Sequence, residues 1–158
     1  MLPEDVPPIR LATPADAAFI ARHRVALFET VLPPERHAEA AALLAPSREA
    51  VHAMLAAGTS LAWLPDEGEP SGSLVMHLVD RLPSPSSPTG REGYIVHVFV
   101  REGRRDSGLG AAMLAAAEAG ARERRLCRIR LHAVARALPF YARAGYKPRA
   151  NDLELLLP

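Results

Sequence analysis

Hydrophobic positions along the chain change rhythm at definite points. Tyr94 to Val100 carries β-branched and aromatic side chains on both faces, the mark of a strand lying centrally in a sheet. Leu109, Met113, Ala116 and Gly120 recur at i, i+4, i+7 and i+11, a helical stripe that reads as core packing against that sheet. Arg128 to Val134 then alternates Ile129, Leu131 and Ala133 with Arg128, Arg130 and His132, a half-buried strand with one polar face. Strand, crossover helix and strand in this order predict a right-handed parallel unit.

Upstream, Ile9 to Ala12 is β-prone, and Thr13-Pro14-Ala15-Asp16 announces a helix that runs to about Val31. Leu32-Pro33-Pro34 ends it. Glu35 to Leu44 and Ser47 to Ala57 read as two helical pieces divided by Pro46, with Gly58 as the stop. Leu61 to Leu64 and Ser73 to Val79 should pair antiparallel across the loop Pro65 to Gly72. The Pro/Ser-rich stretch Leu82 to Gly90 reads as a mobile loop. Arg136 to Ala144 is a short helix closed by Gly145, and Leu153 to Leu157 is expected to supply a last strand. The expected architecture is one α/β domain over residues 1–158. Its mixed sheet has antiparallel N-terminal strands that turn parallel around residues 94–134, with helices on both faces.

Charge narrows the partners. A formal net charge of +1 argues against wholesale nucleic-acid binding. The distribution is uneven: residues 1–100 hold seven basic and twelve acidic side chains, whereas residues 101–149 hold twelve basic and four acidic. The later half is a positive field suited to a polyanionic ligand, although Arg122 to Arg125 read as a solvated helix face. The single cysteine, Cys127, excludes a disulfide framework and suits a reducing compartment. No apolar run approaches the roughly 20 residues of a membrane span, and Met1 to Arg10 does not read as a signal peptide, so the expected location is cytoplasmic, with no membrane partner.

Arg105-Asp106-Ser107-Gly108-Leu109-Gly110 joins the strongest strand directly to the alanine-rich helix. Small glycines allow close approach of a diphosphate, and the first-turn amides together with the helix dipole favour negative charge there. The loop lacks the Lys-Ser/Thr ending of a phosphate-binding NTPase loop and the full glycine spacing of a dinucleotide fold. A nucleotide-binding module therefore ranks last among the readings.

Val98-Phe99-Val100, then Arg105-x-x-Gly108-x-Gly110, then Ala137-x-x-Phe140-Tyr141-x-x-x-Gly145-Tyr146 together resemble the GNAT superfamily of acyl-CoA-dependent N-acetyltransferases. The motifs cover about residues 94–146. The resemblance implies acetyl-CoA as co-substrate, its pyrophosphate on the backbone of Arg105, Asp106, Ser107, Gly108, Leu109, Gly110 and Ala111. It also implies a pantetheine arm along Val98, Phe99 and Val100. Tyr141 takes the position whose hydroxyl protonates the leaving thiolate. Two residues depart from the family pattern: Asp106 stands where the loop often has glycine, and Val134 where an asparagine is frequent. The implied reaction is transfer of an acetyl group to a primary amine of a small molecule or peptide, directly in a ternary complex; the alternative is a non-catalytic CoA-binding or sensing domain. A homodimer is compatible with this reading.

The amine must lose a proton, and His97 and Glu92 are the candidate bases. An imidazole of near-neutral pKa in the cofactor strand suits His97, against the alternative of a hydrogen-bonded structural residue. Glu92 could act through water, against the alternative of a solvated loop acid. Phe140 reads as core; His132, on the polar face of its strand, could reach the acceptor site, against the alternative of a surface histidine, and His77 has the same two readings. Cys127 reads as a small core residue and not a nucleophile. Val51, Met54 and Leu55 could wall the acceptor side, or simply be core. No His, Asp, Glu or Cys spacing suggests a metal site, and none is needed.

Overall fold

The computed structural model describes residues 6–149 and 154–157. Five strands lie in chain order across one sheet: β1 (Ile9–Leu11), β2 (Ser60–Pro65), β3 (Gly72–Asp80), β4 (Arg91–Val100) and β5 (Ile129–Leu131). The first four pair antiparallel and β4 pairs parallel with β5, as the sequence pattern predicts. Five helices accompany them: α1 (Ala17–Val31), α2 (His37–Ala41), α3 (Leu44–Ala57), α4 (Leu109–Glu123) and α5 (Leu138–Arg143).

The two sheet faces are covered by different helices, which separates two cores. On one face α4 buries Leu109, Met113, Leu114 and Ala117 against Leu61, Trp63, Leu74, Met76 and Ile95. The small residues of α4 allow this closeness, for a Cβ added at Gly120 would lie 2.7 Å from the Trp63 ring. On the other face Ile20 of α1 packs with Ala62, Leu64 and Val75, and Val51 and Leu55 of α3 close over them. Thr13 and Asp16 cap the entry to α1, where the Thr13 amide donates to the Asp16 carboxylate at 2.8 Å and the Arg10 guanidinium grips the same group. Gly58 ends α3 in the left-handed conformation, φ 68°.

Three expectations need correction. Pro46 does not divide two helices: it sits in the first turn of α3, where its missing N–H has no intrahelical partner to lose. The strand expected over Arg128 to Val134 keeps only Ile129–Leu131, because β5 leaves β4 after Leu131. Of the strand expected over Leu153 to Leu157, Leu153 lies outside the described residues, and Glu154 to Leu157 are exposed and unpaired with the sheet. The Pro/Ser stretch is also better fastened than its composition implies. The Arg81 amide donates to the Gly90 carbonyl at 2.8 Å, and Arg128 donates to the Ser86 carbonyl at 2.6 Å.

Candidate functional site

Two features of β4 shape the site. The first is where β5 stops. The two strands pair only from Gly93–Ile129 to Ile95–Leu131, so the Val96 to Val100 segment of β4 has no strand beside it on that side among the described residues. The second is a bulge: Val75 faces His97 and Met76 faces Ile95, which leaves Val96 as an extra residue. An extra residue resets the pleat alternation. Val96 and His97 consequently share the α1/α3 face, while Val98 and Val100 pack toward α4.

Beyond the free edge of β4 lies the loop into α4. Gly108 caps the helix at φ 87° and Asp106 stands at φ 60°, so two left-handed residues fold the chain back on itself. Asp106 thus occupies a conformation glycine adopts most cheaply, and its exposed carboxylate leaves the loop interior free. The Ser107 hydroxyl donates to the Arg104 carbonyl at 2.6 Å, fixing the turn. The first intrahelical bond runs from the Ala112 amide to the Gly108 carbonyl at 2.9 Å, so the amides of Leu109, Gly110 and Ala111 precede it with no helical acceptor. The Leu109 side chain is fully buried beneath them. Unengaged amides at a helix start are suited chemically to an anion.

The positive field divides. Arg101 pairs with Glu69 at 3.1 Å and Arg105 reaches toward the Val100 carbonyl, both beside the loop. Arg128 and Arg130 are engaged elsewhere: with Arg81 they surround the Glu92 carboxylate at 3.1, 3.3 and 3.0 Å. Glu92 is accordingly neither a loop residue nor solvated. It is a buried strand residue clamped by three guanidiniums, and this removes it as a base.

Tyr141 lies on α5, its ring edge-on to Phe140 at 4.9 Å and to Tyr146 at 5.8 Å. The cluster packs on the α4-side core, and Phe140 comes within 3.5 Å of where a Gly110 Cβ would be. Burial pushes the Tyr141 phenol above its ordinary pKa, so it keeps its proton at neutral pH.

On the opposite face a cavity of about 360 Å³ opens between α1, α3 and the sheet, lined by Ile20, Arg24, Val51, Met54, His77 and His97 among others. Leu55 lines it too, so the three α3 residues singled out from sequence all wall this space. His77 is held by Ser60, 2.7 Å from its Nδ1, and burial and Arg24 lower its pKa. His132 is exposed, one residue past the end of β5, and does not line this cavity. Another depression, of about 410 Å³, lies between the start of α1 and α3 near Arg48 and His52, away from β4.

His97 departs from the sequence expectation in one respect. Its imidazole is 3% exposed, and burial, reinforced by the nearby charges of Arg24 and His23, lowers its pKa to about 3. It is an uncharged acceptor at physiological pH, not a near-neutral titrating group. Its Nε2 lies 2.8 Å from Ser73 Oγ, and Ser73 Oγ lies 2.9 Å from His23 Nδ1. Arg24 donates to the carbonyl of the bulged Val96 at 2.9 Å. His23, Arg24 and Ser73 escaped sequence reasoning. The only available signal was their helical or strand spacing from Ile20 and Val75, which reads as core. Cys127 is half-buried beside Thr89, 2.9 Å from its hydroxyl, and is not the core residue expected; this hydrogen bond lowers its pKa.

Among the described residues no group of three His, Cys, Asp or Glu could hold a metal, and no helix is long and apolar enough to cross a membrane. Comparison with known proteins agrees with this geometry. A GCN5-related N-acetyltransferase from Ralstonia eutropha JMP134 superposes with a TM-score of 0.82 at 29% identity, covering 94% of this chain and 97% of the other. A predicted acetyltransferase from Clostridium acetobutylicum, crystallised with acetyl-CoA, superposes at 0.79 with 23% identity over 94% of each chain. A ribosomal-protein-alanine N-acetyltransferase from Brucella melitensis biovar Abortus 2308 shares the fold at 0.66, with 18% identity over 94% of this chain and 99% of the other. No functionally curated protein matches. The model of the Acetyltransferase (GNAT) family matches residues 24–146. With a family match over most of its length and the β4–β5 splay beside a glycine-capped helix, the chain belongs to the GNAT acetyltransferase family, whose co-substrate is acetyl-CoA.

Proposed function

We propose that the protein transfers an acetyl group from acetyl-CoA directly to a primary amine of a small molecule or peptide with an apolar body, in a ternary complex. The observation that carries this reading is the break between β4 and β5 after Leu131. It leaves a strand edge between the amide-lined loop on one side and the apolar cavity on the other. In this reading the amides from Asp106 to Ala111 hold the pyrophosphate, the Arg105 amide donating instead to the Glu102 carbonyl, and the backbone of Val98, Phe99 and Val100 guides the pantetheine arm as an added strand. The cavity holds the acceptor, its nitrogen toward His97.

The roles of the side chains follow from their states. The C–N bond forms as the thioester C–S bond breaks; the amine's proton passes to His97 Nδ1, and the Tyr141 phenol gives its proton to the sulfur. Both residues then reset by exchange with solvent. An imidazole this weakly basic does not deprotonate a free ammonium ion. It accepts the proton from a nitrogen made far more acidic by the forming bond, so the amine must arrive neutral.

A screen of amine acceptors with thiol-release detection, preceded by a check that CoA raises the melting temperature, tests the assignment. Tyr141→Phe should lower kcat about tenfold or more while CoA affinity holds, the pattern of a group used in the reaction and not in binding. Tight CoA binding without thiol release from any amine would point instead to a CoA-sensing domain.

A further inference from the structure

We infer that Ser73 and His23 are positioning residues that hold the His97 imidazole in its Nε2–H tautomer, which leaves Nδ1, buried at the cavity wall, as a bare acceptor. The inference rests on the reading that His97 takes the amine proton.

The directions of the hydrogen bonds can be deduced. Ser73 Oγ lies between the two rings, 2.9 Å from His23 Nδ1 and 2.8 Å from His97 Nε2. A hydroxyl has one proton and can donate to only one of them. All three residues are buried, Ser73 completely, so the donors and acceptors must match among themselves. The direction is set at the His97 end. Its Nδ1 is buried with no partner among the described residues, and a buried N–H without an acceptor costs more than a bare lone pair. The proton therefore sits on Nε2, which donates to Ser73 Oγ, and the Ser73 hydroxyl donates in turn to His23 Nδ1.

Two further features agree. His23 stacks on Phe99 with ring centroids 4.8 Å apart, which holds the plane of its ring. Arg24, fixed on the Val96 carbonyl, lines the same cavity as His97, and its positive charge nearby favours a lone pair over an N–H at Nδ1. The charged and titratable groups around the pair are Arg24 and His77 at the cavity, and Arg22, Glu69 and Arg101 near His23. The opposite tautomer would leave an imidazole N–H buried with no acceptor.

Long-range nitrogen–proton NMR correlations of the imidazole rings in the unmodified protein, with no amine present, decide the tautomer. Nε2–H is expected on both His23 and His97; Nδ1–H on His97 overturns the inference. Ser73→Ala should leave His97 as a mixture of tautomers and lower kcat about 10- to 100-fold, with the KM for acetyl-CoA within about twofold. His23→Phe keeps the stack on Phe99 but removes the acceptor and should behave like Ser73→Ala. His23→Asn, whose Oδ1 stands near the place of Nδ1, should restore most of the rate. The base assignment is tested separately by His97→Gln. If that variant retains kcat, the base role fails whatever the tautomer; if it loses kcat while Ser73→Ala and His23→Phe keep both the rate and the spectrum, only the positioning role fails.

Discussion

Gly108 and Gly110 are two residues apart in one motif, yet alanine should act on them in opposite ways. Gly108 stands at φ 87°, where a Cβ crowds the backbone at a cost of about 1–2 kcal/mol. Gly110 has an ordinary helical backbone, and a Cβ there would meet Phe140 at 3.5 Å and Val100 at 3.7 Å, which is normal packing. The strain in Gly108→Ala has two outlets. If the loop keeps its shape, the fold loses about 1–2 kcal/mol and the melting temperature of a protein this size falls by about 2–8 °C. If the loop relaxes when free, coenzyme A must restore it on binding, and affinity falls by about 5- to 30-fold. The two losses should sum to about 1–2 kcal/mol. Calorimetry on the protein alone, then titration with CoA, measures both. Gly110→Ala should leave affinity within about twofold and the melting temperature unchanged or raised, since alanine is the better helix former. Equal damage from the two alanines, or none from Gly108→Ala, would refute the conformational account of the loop.

Three other outcomes are expected. Asp106→Gly removes both a left-handed non-glycine residue and a carboxylate near the phosphates, and should tighten CoA binding a few-fold by isothermal titration; unchanged or weaker binding would contradict the charge and backbone argument. Burial lowers the pKa of His23 to about 4 and of His97 to about 3, below the unfolded value of about 6.5. The unfolded chain therefore binds more protons below pH 6.5, and stability present above that pH is lost as pH falls toward 4, by about 1.4 kcal/mol per pH unit for each histidine. Melting temperatures from pH 7 to pH 5 should fall, and His23→Phe should flatten the decline; an equal slope in the variant would show that His23 is not buried uncharged. Glu92→Gln leaves three guanidiniums around a neutral side chain and should cost about 3 kcal/mol, read as a lower denaturant midpoint; a midpoint within error of the parent would mean that the cluster is solvated.

The parts of the fold that were legible in the sequence are those set by local chemistry. Gly58 and Gly145 stop their helices with left-handed backbone, the hydrophobic run at Tyr94 to Val100 is an inner strand, and the stripe from Leu109 to Gly120 faces the core. The glycine-capped loop was legible for the same reason. What escaped depends on tertiary surroundings. Glu92 reads as a solvated acid until Arg81, Arg128 and Arg130 arrive from two other segments. His97 reads as a near-neutral base until its burial is known, and His23 reads as one more helix residue until β3 places Ser73 against it, fifty positions away. Pro46 could be read either as a breaker or as a first-turn residue, and only the actual start of α3 at Leu44 decides. The bulge at Val96 has no local signature in a run of valines, isoleucine and phenylalanine.

That unpaired valine works as a phase change in the middle of one strand. Before it the odd-numbered Ile95 faces α4; after it the even-numbered Val98 and Val100 do, and the histidine is the first residue of the new phase. Were the same residues threaded through a regular strand, with Val96 and not His97 opposite Val75, the imidazole would be turned into the hydrocarbon under α4 and Val98 would take its place in the cavity. Scaffold and hydrophobicity would survive such a slip almost intact, while the two substrates would lose their common meeting point.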